Sequence, residues 1–328
     1  MIDWRPSASM ITLRNRAAFF SSIRQFFEAR GVLEVDTPFL SPSTITDVHM
    51  EAMHTTAAGK PMYLQTSPEY YMKRLLAAGS GDIYQLGKCF RDEKASRIHS
   101  PEFTMLEWYR VGFSMQQLMD ELSELTDHLI GLSCEQHTYQ ALFEKHLSVN
   151  PIIVNWQEVA KLAMDKGLKD YVLTCEKDYD LSANASEESQ KGFVDAILQV
   201  LFSVFIEPKI GADHPVIVSH FPASQATLAA LSADNNTALR FELYYKGVEL
   251  ANGYEEATDA DLLLRRFNAD NNLRMHLGKQ TKAIDKAFVA AMKSGLPSCS
   301  GVALGIDRLL MLAENAQTIA SVMPFRVE

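Results

Sequence analysis

The chain has 328 residues, 47% apolar and 22% charged, which is the composition of a globular protein of one large or two ordinary domains. Lys plus Arg number 31 against 41 Asp plus Glu, and the formal charge of −10 argues against nonspecific binding along nucleic acid, though not against a local basic patch. No run of roughly 18 apolar residues calls for a membrane span. The N-terminus, Met1-Ile2-Asp3-Trp4-Arg5-Pro6, lacks a signal-peptide pattern. Cys89, Cys134, Cys175 and Cys299 are too scattered for a CxxC zinc site or a disulfide framework, so a reducing, cytoplasmic compartment fits best.

In chain order, the first helix is expected over Ile11–Arg30, where Phe19, Ile23, Phe26 and Phe27 recur at helical spacing and Gly31 sits where a glycine cap would. An extended stretch, Val32–Pro38, follows. Loop and short strands are expected over 43–60, and a strand over Met62–Thr66. Ser67-Pro68-Glu69 opens a helix to about Ala78, with Ser67 as N-cap and Pro68 at the first helical position. Strands near Ile83–Arg91 and Glu102–Arg110 flank a polar loop, Asp92–Pro101, that carries Lys94, Arg97 and His99. Ser114 and Gln117 form a capping box for a helix with the stripe Met115, Leu118, Met119, Leu122, Leu125 and Leu129, ended by Gly131. Residues 134–235 are less distinct: helices including Gly192–Phe205, a polar loop over Ser182–Gln190 and a strand at Val216–Ser219. A hairpin, Leu239–Tyr245 and Val248–Asn252 about Lys246-Gly247, leads to helices near Thr258–Leu277 and Ile284–Ser294. The chain closes with Ser300–Gly305 running into a helix from Ile306 to about Glu314. Helices at both ends of hairpin-linked strands define an α+β class with a mainly antiparallel sheet flanked by helices, without a Rossmann rhythm.

Three groups carry chemistry. Phe90-Arg91-Asp92-Glu93 ends a strand in an arginine suited to bidentate phosphate recognition, and Phe103 offers a face for a purine. Gly301-x-Ala303-x-Gly305-x-Asp307-Arg308 lets a ligand approach the backbone and sets Arg308 near the positive end of a helix. On the strand from Glu102, two-residue alternation puts Phe103, Met105, Glu107 and Tyr109 on one face. A carboxylate there needs a partner, either an internal cation or a cationic ligand. Glu69, Glu249 and Glu256 lie beside apolar stretches too. Each group alone has an ordinary reading: a charged hairpin tip, a packing turn, a salt-bridged glutamate. Together, two arginines in different loops suit a triphosphate, and several glutamates suit a substrate with ammonium groups. Glu249 or Glu242 suits Mg²⁺ between phosphate oxygens.

Arg30-Gly31-x-x-x-Val35-x-x-Pro38, Phe90-Arg91-Asp92-Glu93 with Phe103, and Gly301-x-x-x-Gly305-x-Asp307-Arg308 resemble motifs 1, 2 and 3 of class II aminoacyl-tRNA synthetases, in order and over nearly the whole chain. Thr66–Glu69, His99–Tyr109 and Glu249-Leu250-Ala251-Asn252-Gly253 narrow the resemblance to the lysyl subgroup. Motif 1 begins at residue 30, so the anticodon-reading OB-fold of a lysyl-tRNA synthetase is not expected before it. The chain therefore looks like the short bacterial paralogues, the elongation factor P lysyltransferases: a single catalytic domain over 1–328 with a helical region at about 114–210.

That resemblance implies ATP-dependent, AMP-forming activation of (R)-β-lysine and its transfer to a lysine side chain of elongation factor P. It also implies Mg²⁺, a homodimer through motif 1, and no tRNA or membrane partner. Arg91 is expected on the α-phosphate and Arg308 on the γ-phosphate as the catalytic pair. Asp92, Glu93, Ser100, Phe103, Glu249, Leu250 and Gly305 are expected to complete the ATP site, with Phe103 stacking on adenine and Glu249 binding Mg²⁺. Ser67, Pro68, Glu69, Glu107, Tyr109, Glu256 and Ala303 are expected at the lysine pocket, where Glu69, Glu107, Tyr109 and Glu256 hold two ammonium groups. Asp92 stands where many relatives have Asn, and Ser100 replaces an Asn at an ATP-contacting position of the motif 2 loop. Ala303 replaces a glycine of lysyl-tRNA synthetases, and its methyl would disfavour ordinary lysine by about 1–3 kcal/mol. The alternatives are tRNA charging by a bare catalytic core, an ammonia-dependent asparagine synthetase and a non-catalytic paralogue. The glutamates oppose the second, and Arg91 with Arg308 opposes the third.

Overall fold

The computed structural model describes residues 4–48, 50–181 and 185–327. The chain divides into two compact units, Met1–Ser133 with Leu250–Glu328, and Cys134–Glu249.

In the first unit, α1 (Met10–Glu28) is capped by Ser9, whose side chain accepts from Thr12 N, and buries Arg16, Ile23, Phe26 and Phe27. β1 (Leu33–Glu34) and β2 (Leu40–Ser41) are two residues each, so only the start of the extended stretch before Pro38 is strand. β3 (His54–Ala57) and β4 (Lys60–Leu64) join β2 in a small antiparallel sheet. α2 (Glu69–Ala77) starts after the expected cap: Pro68 takes the cap position, and Ser67 Oγ accepts only a long 3.4 Å bond from Glu69 N. β5 (Ile83–Phe90) and β6 (Glu102–Val111) pair antiparallel from Ile83–Tyr109 to Phe90–Glu102. Phe27 stacks on Tyr84 and meets the edge of Trp108, which seats α1 on these strands. α3 (Met115–Ile130) carries the expected Ser114–Gln117 capping box and ends at Gly131, whose φ of 71° needs glycine.

The second unit contains β7 (Glu135–Thr138), α4 (Tyr139–Leu147), α5 (Trp156–Asp165), α6 (Lys169–Asp178), α7 (Glu187–Phe205), β8 (Val216–Pro222) and β9 (Thr237–Tyr245). β8 pairs parallel with β7 and antiparallel with β9. Phe143, Val159, Val172, Phe193, Ile197, Leu201 and Phe202 lie in its core. α7 begins before the expected Gly192, because Ser186 caps it and Glu187 and Glu188 sit at its positive end. Residues 187–190 of the expected polar loop are therefore helix, and residues 182–184 of that loop lie outside the described residues. The segment Glu187–Lys209, with a mean hydropathy of 1.3, is long and apolar enough to span a membrane; the core side chains of α7 named above are buried inside this unit.

The chain returns to the first unit through β10 (Val248–Glu255) and continues as α8 (Ala260–His276), α9 (Lys286–Gly295), β11 (Cys299–Gly305) and α10 (Ile306–Ala313). β11 lies between β6 and β10, antiparallel to both, giving the order β1-β5-β6-β11-β10. The β1–β5 pair is parallel. The result is the expected α+β architecture, a mainly antiparallel sheet flanked by helices.

Candidate active site

Strand register builds the floor of the site. Gln85, Glu107, Ala303 and Asn252 form one cross-strand row, and Ile83, Tyr109, Gly301 and Tyr254 the next. Directly opposed residues share a sheet face, so the expected alternation of Phe103, Met105, Glu107 and Tyr109 holds. Ala303 is half-buried while its neighbours Val302 and Leu304 are buried, which marks this face as the accessible one. Its methyl stands directly between the Glu107 and Asn252 positions.

Three glutamates gather over this floor. Glu107 is buried; its Oε1 accepts from the Tyr109 hydroxyl at 2.7 Å and its Oε2 has no partner. Glu69, in the first turn of α2, and Glu256, just beyond β10, each lie 2.6 Å from the ammonium of Lys73. Lys73 is 1% exposed. Glu256 Oε1 has no partner. Burial pushes Glu107 up to about 8, reinforced by the charge of Glu69. Burial also pushes Glu256 up to about 7, with Lys73 pulling the other way. Burial works against the charge on Lys73, but Glu256 and Glu69 outweigh it and hold the ammonium well above its usual range. Burial, then Glu107, raises Tyr109. The expected lysine-pocket residues Glu69, Glu107, Tyr109 and Glu256 thus do come together, around an internal cation that the sequence reading did not single out. Its signal was present as Glu69 and Lys73 one helical turn apart.

The expected phosphate-binding residues gather at the other end of the same strands. Arg91 follows β5, and its N donates to Pro101 O at 2.9 Å, closing the motif 2 loop. Its guanidinium lies 5.0 Å from the Phe103 ring centroid, and its Nε is buried without a partner. Arg308, in the first turn of α10, donates from Nε to Ile98 O at 3.1 Å. Burial lowers the His99 pKa, and Arg308 and Arg91 lower it further. The loop and the helix therefore concentrate positive charge. Ser100 is buried and its Oγ has no partner. Asp92 is exposed and Glu93 half-buried; their backbone N–H groups donate to Glu51 O and Arg91 O. A Cβ on Gly305 would meet only Leu250 O at 3.5 Å and Arg308 side-chain atoms from 3.7 Å, ordinary contacts. Packing does not require glycine there, so its small size leaves open backbone. Gly301 differs, because a Cβ there would collide with the Tyr109 ring.

A deeper layer orients these groups. Arg16 of α1 pairs with Asp307 Oδ1 at 2.6 Å and donates to Thr104 Oγ1 at 2.8 Å, while Asp307 Oδ2 accepts from Thr104 N at 2.6 Å. This ties the start of α10 to the start of β6, beside Arg308 and Phe103. Arg274 and Lys282 each lie 2.6 Å from the Glu51 carboxylate, anchoring the segment whose backbone holds Asp92. Ser67 and Pro68 immediately precede Glu69, the first residue of α2. In the second unit, Glu242 is buried and accepts from Arg240 and the Tyr244 hydroxyl, whereas Glu249 is exposed. No cluster of three or more His, Cys, Asp or Glu suited to a metal occurs among the described residues.

An antiparallel sheet bearing a motif 2 arginine, a motif 3 arginine and an open glycine is the arrangement of a nucleotide-activating synthetase. The family of class II tRNA synthetases (D, K and N) matches residues 1–327. The chain is 47% identical to the elongation factor P--(R)-beta-lysine ligase of Hamiltonella defensa subsp. Acyrthosiphon pisum (strain 5AT), over 99% of this chain and 98% of that one. It is also 47% identical to the proteins of that name from Yersinia pestis (strain Pestoides F) and Yersinia pseudotuberculosis serotype O:1b (strain IP 31758), with the same coverage. The chain belongs to the class II tRNA synthetase family, in the branch that these ligases form.

Proposed function

We propose that the protein is an ATP-dependent ligase that activates (R)-β-lysine as its adenylate and transfers it to a lysine ε-amine of elongation factor P. The observation that carries this reading is the pair of buried, unpartnered carboxylate oxygens, Glu107 Oε2 and Glu256 Oε1. Buried carboxylates need cations or donors, and a diammonium substrate brings two. The names of the relatives supply the particular substrate and acceptor.

Arg91 and Arg308 bind and neutralise the triphosphate, Phe103 supports the adenine by stacking, and Gly305 leaves room for the nucleotide. A substrate carboxylate oxygen then bonds to the α-phosphorus as the bond to pyrophosphate breaks. Next, the acceptor nitrogen bonds to the adenylate carbonyl carbon as the bond to AMP breaks, and the nitrogen passes its proton to the departing phosphate. This chain's share is alignment and charge stabilisation, with no covalent enzyme intermediate. Mg²⁺, when bound, neutralises charge on the pyrophosphate. Glu249 would supply one oxygen, and phosphates and water the others. An exposed carboxylate whose neighbour Glu242 is already paired fits a metal that draws most of its ligands from substrate and solvent. The Ala303 methyl narrows the pocket against an α-amino group.

The protein is further proposed to act in the cytoplasm as a homodimer through motif 1, beside which Leu33, Phe39 and Leu40 are 40–56% exposed. Sedimentation of the full chain near twice 36.7 kDa supports the dimer, and a monomer refutes it. The function is tested by intact-mass measurement of elongation factor P after incubation with enzyme, ATP and (R)-β-lysine. A gain of about 128 Da is expected, and no gain with either lysine isomer sinks the reading. Charging of total tRNA with lysine instead would favour a bare-core synthetase.

A further inference from the structure

The pocket proposed to bind a diammonium substrate already contains an ammonium of its own. Lys73 is almost fully buried and reaches two carboxylates from different elements, Glu69 on α2 and Glu256 beyond β10, at 2.6 Å each. Two further carboxylate oxygens, Glu107 Oε2 and Glu256 Oε1, remain buried and unpartnered. Resting on the function proposed above, we infer that Lys73 is a positioning residue that sets substrate specificity: a resident cation that fixes the pocket's charge to match a substrate with two ammonium groups. Once Glu69, Glu107 and Glu256 are all ionised, they leave with Lys73 two net negative charges, the number that a diammonium substrate neutralises.

The charged and titratable groups around Lys73 come from several elements. Glu69 and Tyr70 face Lys73 from its own helix, Glu256 from beyond β10, Glu107 from β6 and Cys299 from β11, while Tyr109 of β6 donates to Glu107. Asp270 and Asp285 act on Tyr70 from α8 and from the cap of α9. Lys73 lowers the pKa of both Glu107 and Glu256. Without its charge both would hold their protons to still higher pH, and substrate ammonium groups would have to compete with those protons more strongly.

The test is (R)-β-lysine-dependent ATP–pyrophosphate exchange measured against pH. Wild-type enzyme without this exchange overturns the functional reading itself. If wild type exchanges, Lys73→Met should move the acid limb of kcat/KM for β-lysine upward by about one pH unit or more. It should also raise KM for β-lysine roughly tenfold at pH 7 and leave KM for ATP unchanged. Lys73→Arg, which keeps the charge, should return the limb toward wild type. A folded Lys73→Met enzyme with a wild-type limb and KM overturns the inference, because a purely structural lysine would not shift a pH profile. If Lys73→Met does not fold, the charge-balanced pair Glu69→Gln with Lys73→Met decides. A limb at the wild-type position supports the inference, and a displaced limb overturns it.

Discussion

Two glycines of one strand have opposite reasons to be glycine. At Gly305 the protein leaves room for a Cβ, whereas at Gly301 the Tyr109 ring and Glu256 Oε1 fill the space. Gly305→Ala is therefore expected to leave the melting temperature nearly unchanged while raising KM for ATP several-fold. Gly301→Ala must displace a buried tyrosine and should cost about 1–3 kcal/mol of stability, with the kinetic loss falling on β-lysine rather than ATP. Urea unfolding together with separate KM measurements checks both. If Gly305→Ala proves the more destabilising, the view of Gly305 as open backbone fails. Both glycines stood in the sequence as one small-residue run. Only the register, which sets Gly301 opposite Tyr109, separates their roles.

Contacts between elements decide which residues could be read in advance. The α3 cap, its apolar stripe and Gly131 are local patterns within one helix, and they appear as expected. The row of Glu107 and Tyr109 also followed, because alternation is a property of a single strand. Partners across the fold were not legible. Arg16 lies 88 residues from Thr104, and Thr104 lies 203 from Asp307, so no spacing rule joins them. The glutamates were visible as carboxylates in need of a cation, but not that Glu69 and Glu256 share Lys73. The Arg16–Asp307 pair makes a clear prediction. Asp307 is fully buried, so Arg16→Met strands its carboxylate at a cost of about 3–5 kcal/mol. Because the same pair holds the start of α10 against β6, the variant should also raise KM for ATP through Arg308 and Phe103. A denaturant midpoint close to wild type would contradict this account of the α1–α10 tie.

For the molecule as a whole, the net charge of −10 says little about the pocket, where buried carboxylates hold protons that exposed ones would release. Glu107 is raised to about 8 and Glu256 to about 7, both above the ordinary 4.5. Between the ordinary and raised values the folded protein binds more protons than the unfolded chain, so these groups make stability fall as pH rises through that window. Lys73 is raised above its ordinary 10.5, so its contribution is complete throughout that range and is lost only at higher pH. His99 is lowered below 6.5, which makes stability rise with pH up to that point and partly masks the glutamates there. The clean interval is therefore pH 6.5 to 8, where the ligand-free protein should lose melting temperature steadily. A diammonium ligand pairs with the ionised carboxylates, so the stabilisation conferred by (R)-β-lysine should grow over the same interval. Its binding should release protons, measurable as a difference in calorimetric enthalpy between phosphate and Tris buffers. A ligand-free melting temperature that rises from pH 6.5 to 8, together with buffer-independent binding heat, would show that Glu107 and Glu256 are already ionised at neutral pH and that the pocket's charge does not depend on its substrate.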